Sequence, residues 1–400
     1  MNILFLSIGM LNHIDDKGIY TDLLREFRDH GHNVYVVCAR ERRLNLPTEF
    51  VNEKGVNFLR VKIGNITKTN IIEKGISTIR IESLFLKQIK KYLSAIKFDL
   101  VIYSTPPITF EKVIRYIKNR DNAKSYLLLK DIFPQNAVDL NMFSKKSIFY
   151  WYFRNKEKKL YQISDYIGCM SQANVDFILQ NNPEISPEKV EVCPNSIEPI
   201  EMDKDEKEIQ EIRRKYNIPL DKIVFIYGGN LGKPQGIDFI IECLRANKSN
   251  DQIYFVIVGS GTEFNKLKSF LDTESPNNVK LLNQLPKDDY EKLANSCDVG
   301  LIFLDRRFTI PNFPSRLLSY MQASMPVLAA TDINTDIGKV IEEGKFGLWC
   351  ESRYVNDFNE KLNQLCNDDL RKQMGANARK YLEENYTVKH SYEIIMKHFK

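Results

Sequence analysis

Tyr227-Gly-Gly-Asn-Leu-Gly-Lys-Pro-Gln-Gly236 follows an apolar run, Ile223 to Ile226, and precedes a helical pattern from Ile237 to Leu244. Strand, glycine-rich turn and helix in this order make an anion cradle. Glycine lets backbone approach an anion closely, a helix N-terminus presents unpaired N–H groups, and Lys233 adds a full positive charge. Doubly wound folds also use such turns simply to reverse the chain, so the turn alone leaves both readings open.

A second stretch narrows the choice: Pro311-Asn-Phe-Pro-Ser-Arg-Leu-Leu-Ser-Tyr-Met-Gln-Ala-Ser-Met-Pro-Val-Leu328. Ser315 is placed to cap a helix from about Arg316 to Ala323, which sets Arg316 in the first turn. A cation there opposes the helix dipole, and a diphosphate lying between this turn and residues 228–236 would compensate it.

Outward from these segments, strands and helices alternate almost throughout, the signature of parallel sheets. Apolar strands are expected near 2–8, 33–38, 56–63, 99–103, 124–130, 166–171 and 189–193. A polar, acidic stretch from Asn195 to Glu208 interrupts the pattern, which restarts near 222–228, 252–258, 278–282, 298–303 and 326–330. The expected organisation is an α/β chain of two Rossmann-like domains, residues 1–198 and 199–385, with a helix in 386–400 packing back on the first. Ligands of such sheets lie at the carboxyl ends of the strands. The turns after Tyr227 and at Val258-Gly-Ser-Gly261, the Ser315 helix, the Gly9–Gly18 loop and Lys130-Asp-Ile-Phe-Pro134 are therefore expected to face one cleft.

The 400 residues are 43% apolar and 27% charged, an ordinary globular composition with room for two domains. Met1 to Gly9 read as a buried first strand rather than a leader, and no apolar run approaches the roughly 18 residues that span a bilayer, so a cytoplasmic protein is expected. The seven cysteines show no C-x-x-C pair or zinc spacing and read as small buried hydrophobes. Residues 1–199 carry 29 Lys and Arg against 22 Asp and Glu, which puts about +7 on the first half and about −2 on the second. That excess suits an anionic surface, while the lack of a nucleic-acid-binding motif argues against DNA or RNA.

Nearly the whole chain resembles the retaining glycosyltransferases of family 4, which have the GT-B fold. The resemblance rests on Gly18 opening the helix toward Gly31-His-Asn-Val, Asp131-Ile-Phe-Pro, Pro194-Asn195-Ser, Gly228-Gly-Asn-Leu-Gly-Lys-Pro-Gln-Gly236, Val258-Gly-Ser-Gly261, and Pro314-Ser-Arg-Leu-Leu-Ser-Tyr-Met followed by Pro326-Val. Within the family it is most similar to bacterial surface-polysaccharide enzymes that transfer N-acetylfucosamine-type sugars. The resemblance implies a UDP-sugar donor in the C-terminal domain and an acceptor, such as an undecaprenyl diphosphate-linked glycan, in the N-terminal one. Lys233 and Arg316 would neutralise the diphosphate, amides near Gly229 and Ser315 to Leu317 would donate to it, and Gly18, Gly259, Gly261, Leu285 and Pro314 would complete the donor side. No metal or other cofactor is implied.

Several positions depart from the family pattern. Ser319 and Pro311 stand where glutamates for the ribose and the donor sugar are usual, and Asn230 and Gln235 replace a basic pair. These departures keep open a degenerate subunit that positions a partner transferase. A UDP-sugar 2-epimerase shares the fold, although the five histidines give it little acid–base chemistry. Asp131 is a candidate for binding an acceptor or donor hydroxyl, or a plain turn residue. His13 is a candidate near the phosphate or an exposed loop residue, while His30 and His32 read as surface and helix-end residues. Asp203-Lys-Asp205 falls in the acidic linker, away from any strand end, and is not expected to bind a metal. Two basic, apolar stretches could touch a membrane: 84–97, through Leu86, Ile89, Leu93 and Ile96, and 145–159, with five consecutive aromatics.

Overall fold

A computed structural model of the chain describes residues 1–67, 69–202 and 205–399, so Asp203 lies outside the described residues. The chain divides into two compact units, Met1–Glu198 with Val388–Lys400, and Pro199–Thr387.

The first unit is built on eight strands: β1 (Asn2–Ser7), β2 (Asn33–Glu41), β3 (Glu49–Glu53), β4 (Val56–Ile63), β5 (Leu100–Ser104), β6 (Lys124–Leu129), β7 (Tyr166–Cys169) and β8 (Val190–Val192). Their order is β3-β4-β2-β1-β5-β6-β7-β8, parallel except for the antiparallel β3–β4 edge. The central strands are continuous apolar runs because helices cover both faces; Ile3, Leu4, Leu6, Val36 and Val37 are fully buried. Helix Val388–Met396 returns to this unit. Val388 N–H donates to Ile197 O (3.1 Å), and the Ser391 and Ser196 hydroxyls bond at 2.7 Å. Tyr392 stacks on His30 (4.0 Å) and meets Phe27 edge-on (5.1 Å), and its hydroxyl bonds His32 Nε2 (3.0 Å). The two histidines thus pack against the returning helix and are not merely surface residues.

The second unit has six parallel strands: β9 (Ile223–Asn230), β10 (Ile253–Ser260), β11 (Val279–Asn283), β12 (Val299–Phe303), β13 (Val327–Thr331) and β14 (Gly347–Glu351). The order β11-β10-β9-β12-β13-β14 reverses direction beside β9, which puts the switch point at the carboxyl end of the strand carrying the glycine turn.

Strands β3 and β14 were absent from the sequence expectation. Both are short edge strands with a half-exposed pattern and no continuous apolar run. The stretch 84–97 proves to be ordinary packing over much of its length. The helix runs Ile71–Tyr92, and Ile89 and Leu93 are buried rather than presented outward. Asp205 accepts from Lys207 N–H and caps the following helix. Among the described residues, no helix is long and apolar enough to cross a membrane.

Candidate active site

In the second unit, β9 ends in Gly228-Gly229-Asn230 alongside the end of β10, Gly259-Ser260. A cavity of about 430 Å³ opens there, floored by these residues and walled by Gln284, Leu285, Lys287 and Tyr290. The glycines are dictated by close approach. A Cβ on Gly259 would run into the Gly229 carbonyl oxygen, and Gly229, at φ +141°, has the Arg316 Nη2 2.9 Å from where its Cβ would be. The sequence-expected Gly229, Asn230, Gly259 and Leu285 therefore line one pocket, and Gly261 packs beneath it against the Leu231 carbonyl.

Arg316 does not itself line the cavity but is brought behind its Gly229 floor by helix Arg316–Gln322, held against the sheet by Tyr320, whose hydroxyl donates to Ile226 O (3.2 Å) and Leu301 O (3.1 Å). The guanidinium lies over the Tyr227 ring at 4.3 Å. Its Nη1 is sealed from solvent without a hydrogen-bond partner, and no carboxylate pairs with the side chain among the described residues. Burial pushes the Tyr227 phenol up, partly offset by the Arg316 charge. A cation sandwiched between an aromatic face and a glycine backbone, with an idle N–H, is set to receive an anion.

Other expectations are corrected. Ser315 sits in helical conformation (φ −65°, ψ −16°) and makes no side-chain cap, and Leu317 N–H is already committed to Pro314 O (3.2 Å). Pro314 and Ser319 belong to the same segment, and neither lines the 430 Å³ cavity. Gln235 does not reach outward: its Oε1 accepts from Gly232 N–H and from Asn230 Nδ2, both at 3.2 Å. With Gln235 turned in, Lys233 is turned out, and it lines a different cavity together with Arg306, Arg307 and Arg353. Ser260 falls in the Val258–Gly261 turn expected at the site, but Gln284, Lys287 and Tyr290 escaped the sequence reading; nothing in their local sequence separates them from ordinary surface, and the end of β11 and the helix Lys287–Asn295 that follows it bring them there.

In the first unit, Gly18 N–H is occupied by Asp22 Oδ1 (2.9 Å), and Asp22 is in turn held by Arg25 (2.7 Å) and Glu198 N–H (3.0 Å), so this glycine offers no free donor. His13 is exposed, 4.0 Å from Glu53. Asp131 follows β6, its backbone N–H on Thr105 Oγ1 (3.2 Å) and its Oδ1 accepting from Asn136 Nδ2 (2.8 Å). Burial pushes its carboxyl up to about 6. Neighbouring Lys130 donates to the Cys193 carbonyl (3.2 Å), and burial lowers its ammonium to about 8. Two adjacent groups tuned toward neutrality at a strand's carboxyl end are a candidate site for binding or moving a proton.

Two Rossmann-type units with these strand orders make up the GT-B fold. Residues 208–381 match the model of the family Glycosyl transferases group 1, and the chain is a glycosyltransferase carrying that group 1 domain. It is 25% identical to the probable glycosyltransferase WbjE of Pseudomonas aeruginosa, over 82% of this chain and 80% of that one. Sucrose-phosphate synthase from Thermosynechococcus elongatus superposes with a TM-score of 0.74 at 14% identity, covering 100% of this chain and 98% of the other. HepE of Anabaena, solved in complex with UDP-glucose, gives 0.71 at 15% identity, with 100% and 99% covered.

Proposed function

We propose that the protein is a retaining family 4 enzyme that moves a sugar from a UDP-sugar to a lipid-linked glycan in surface-polysaccharide synthesis. The observation that carries the donor half is Arg316, half-buried against Gly229 with a sealed, unpartnered Nη1. The fold likeness to HepE, solved with UDP-glucose, supports UDP as the nucleotide. N-acetylfucosamine-type donors and an undecaprenyl diphosphate-linked acceptor rest on the motif resemblance.

In the transfer, the bond from the anomeric carbon to the β-phosphate oxygen breaks and a bond to the acceptor oxygen forms on the same face. The acceptor proton passes to the leaving diphosphate. Charge grows on that diphosphate as the bond lengthens, so a fixed guanidinium and backbone N–H groups favour the transition state over the ground state. Lys287 at the rim adds a second cation, and ionised Asp131 orients an acceptor hydroxyl. Ser260 and Gln284, bonded to each other at 3.1 Å, are polar groups of this pocket that would take the ribose hydroxyls in place of the glutamate missing at Ser319.

Calorimetric titration with UDP, GDP and ADP, in EDTA and again with Mg²⁺, tests this reading. Selective UDP binding that is equal in both buffers is expected. Binding of none of the three would favour the degenerate partner subunit that Ser319 and Pro311 suggest, and conversion of UDP-GlcNAc alone to UDP-ManNAc would mark an epimerase.

A further inference from the structure

Helix Ile148–Ile163 leaves its first two turns uncovered. Ile148 is 79% exposed, Phe149 64%, Trp151 74% and Tyr152 41%, and Met142 just before the helix is 64% exposed. Positions 148, 149, 151 and 152 share one helical face. The opposite face is sunk into the unit through Glu157, Leu160 and Tyr161. Neither the Trp151 indole N–H nor the Tyr152 hydroxyl has a hydrogen-bond partner within the chain among the described residues.

We propose that this face is a membrane anchor that inserts into the headgroup region of an anionic bilayer. Charge complementarity selects that occupant. Residues 145–159 hold Lys145, Lys146, Arg154, Lys156, Lys158 and Lys159 against the single acid Glu157. Arg154, Lys156 and Lys158 are paired with Glu157 (2.5 Å), Glu82 (3.9 Å) and Glu184 (3.2 Å), so the surplus charge offered outward is that of the exposed Lys145, Lys146 and Lys159. Aliphatic side chains, amphipathic aromatics and lysines at one helix end match the layering of a bilayer surface, with apolar groups below, indole and phenol at the headgroups and ammonium groups among the phosphates. The next positions on the same face, Asn155 and Lys159, are polar, which limits insertion to the N-terminal half.

The helix also supports the candidate acceptor site. Phe153 meets Phe133 edge-on at 5.0 Å, and Phe133 belongs to the turn that carries Asp131. An anchor here holds the Asp131 turn at the membrane where a lipid-linked acceptor is presented. The inference rests on the proposed acceptor class, but its test does not depend on transfer activity.

The chain has two tryptophans, and Trp349 is tied to Thr331 Oγ1 (2.8 Å). In a Trp349→Phe background, Trp151 fluorescence reports insertion directly. Sedimentation with phosphatidylglycerol–phosphatidylcholine vesicles and with pure phosphatidylcholine vesicles is the companion assay. Expected are binding and a blue shift with the anionic vesicles, weakened by salt, and at least tenfold weaker binding for Phe149→Ser/Trp151→Ser by sedimentation. Lys145→Glu/Lys146→Glu should lose mainly the salt-sensitive part. UDP titration of the same variants should be unchanged, which separates failure of the anchor from failure of the transferase reading. Vesicle binding equal in wild type and Phe149→Ser/Trp151→Ser, or absent from both, overturns the proposal. So does a wild-type dimer that the same substitutions dissociate, since a second copy would then cover the face.

Discussion

Arg316 and Lys233 looked equivalent in the sequence, two cations beside two turns, and the fold separates them. Arg316 was legible because a cation in a first turn with no acid nearby needs an anion. The side on which Lys233 emerges depends on the hydrogen bonds of Gln235, two residues on, which no local pattern reveals. Arg316→Gln is therefore expected to weaken UDP binding about ten- to a hundred-fold, the loss of a charge-assisted bond worth roughly 1.5–3 kcal/mol. Lys233→Ala should change it less than about threefold, and calorimetry on both variants decides between them. Equal losses would mean that the loop rearranges around the diphosphate. Asp131 gives a pH test. With its carboxyl raised to about 6, the ionised form needed to orient a hydroxyl disappears as pH falls through that value. Transfer should decline on the acid side of about pH 6, and Asp131→Asn should be slow but flat across that range. The stability sign is opposite: the raised carboxyl favours folding when protonated and loses that advantage as pH rises through about 6. Asp131→Asn should thus stabilise at pH 8, by up to about 3 kcal/mol in denaturant unfolding.

Among elements, the apolar parallel strands were readable because burial on both faces forces continuous runs of Val, Ile, Leu and Phe. Edge strands β3 and β14 were not, because half-exposed edges carry mixed sequences, and the Ser315 cap failed because its backbone is already helical rather than extended, which the residue type alone does not reveal. The glycine turns were read as anion cradles, yet a second demand on them appears only in three dimensions: the ends of β9 and β10 stack backbone on backbone. Gly259→Ala should push the Gly229 carbonyl aside, costing about 1–3 kcal/mol of stability and weakening UDP binding together. Gly75, in helix Ile71–Tyr92 with nothing within 4 Å of where a Cβ would stand, is the control. Gly75→Ala should stabilise by about 0.5–1 kcal/mol and leave UDP binding alone. Denaturant unfolding and UDP titration on the pair separate crowding from a general glycine effect, and a neutral Gly259→Ala would show that the turns are not tightly stacked.

At the scale of the molecule, helix Val388–Met396 belongs to the unit that holds the first strand. Tyr392, Ile395 and Met396 sit with Phe27 and Leu24 in one core, so the first unit is not closed until that helix has been made. A stop after Thr387 would strip that core of its cover and leave Phe27, His30 and His32 without Tyr392. The other unit, Pro199–Thr387, keeps every strand of its sheet and the whole candidate donor pocket. Removal of the helix and binding of UDP should therefore act on different parts of the molecule. Differential scanning calorimetry of the full chain is expected to resolve two transitions. UDP at a hundred times its dissociation constant should stabilise one of them by about 2.7 kcal/mol, because it binds only the folded second unit. Truncation after Thr387 should lower or abolish the other while the UDP-sensitive transition keeps both its temperature and its response. A single transition that UDP raises and truncation lowers would instead mean that the two units unfold as one body, and that the returning helix contributes to the stability of the donor pocket as well as to the first unit.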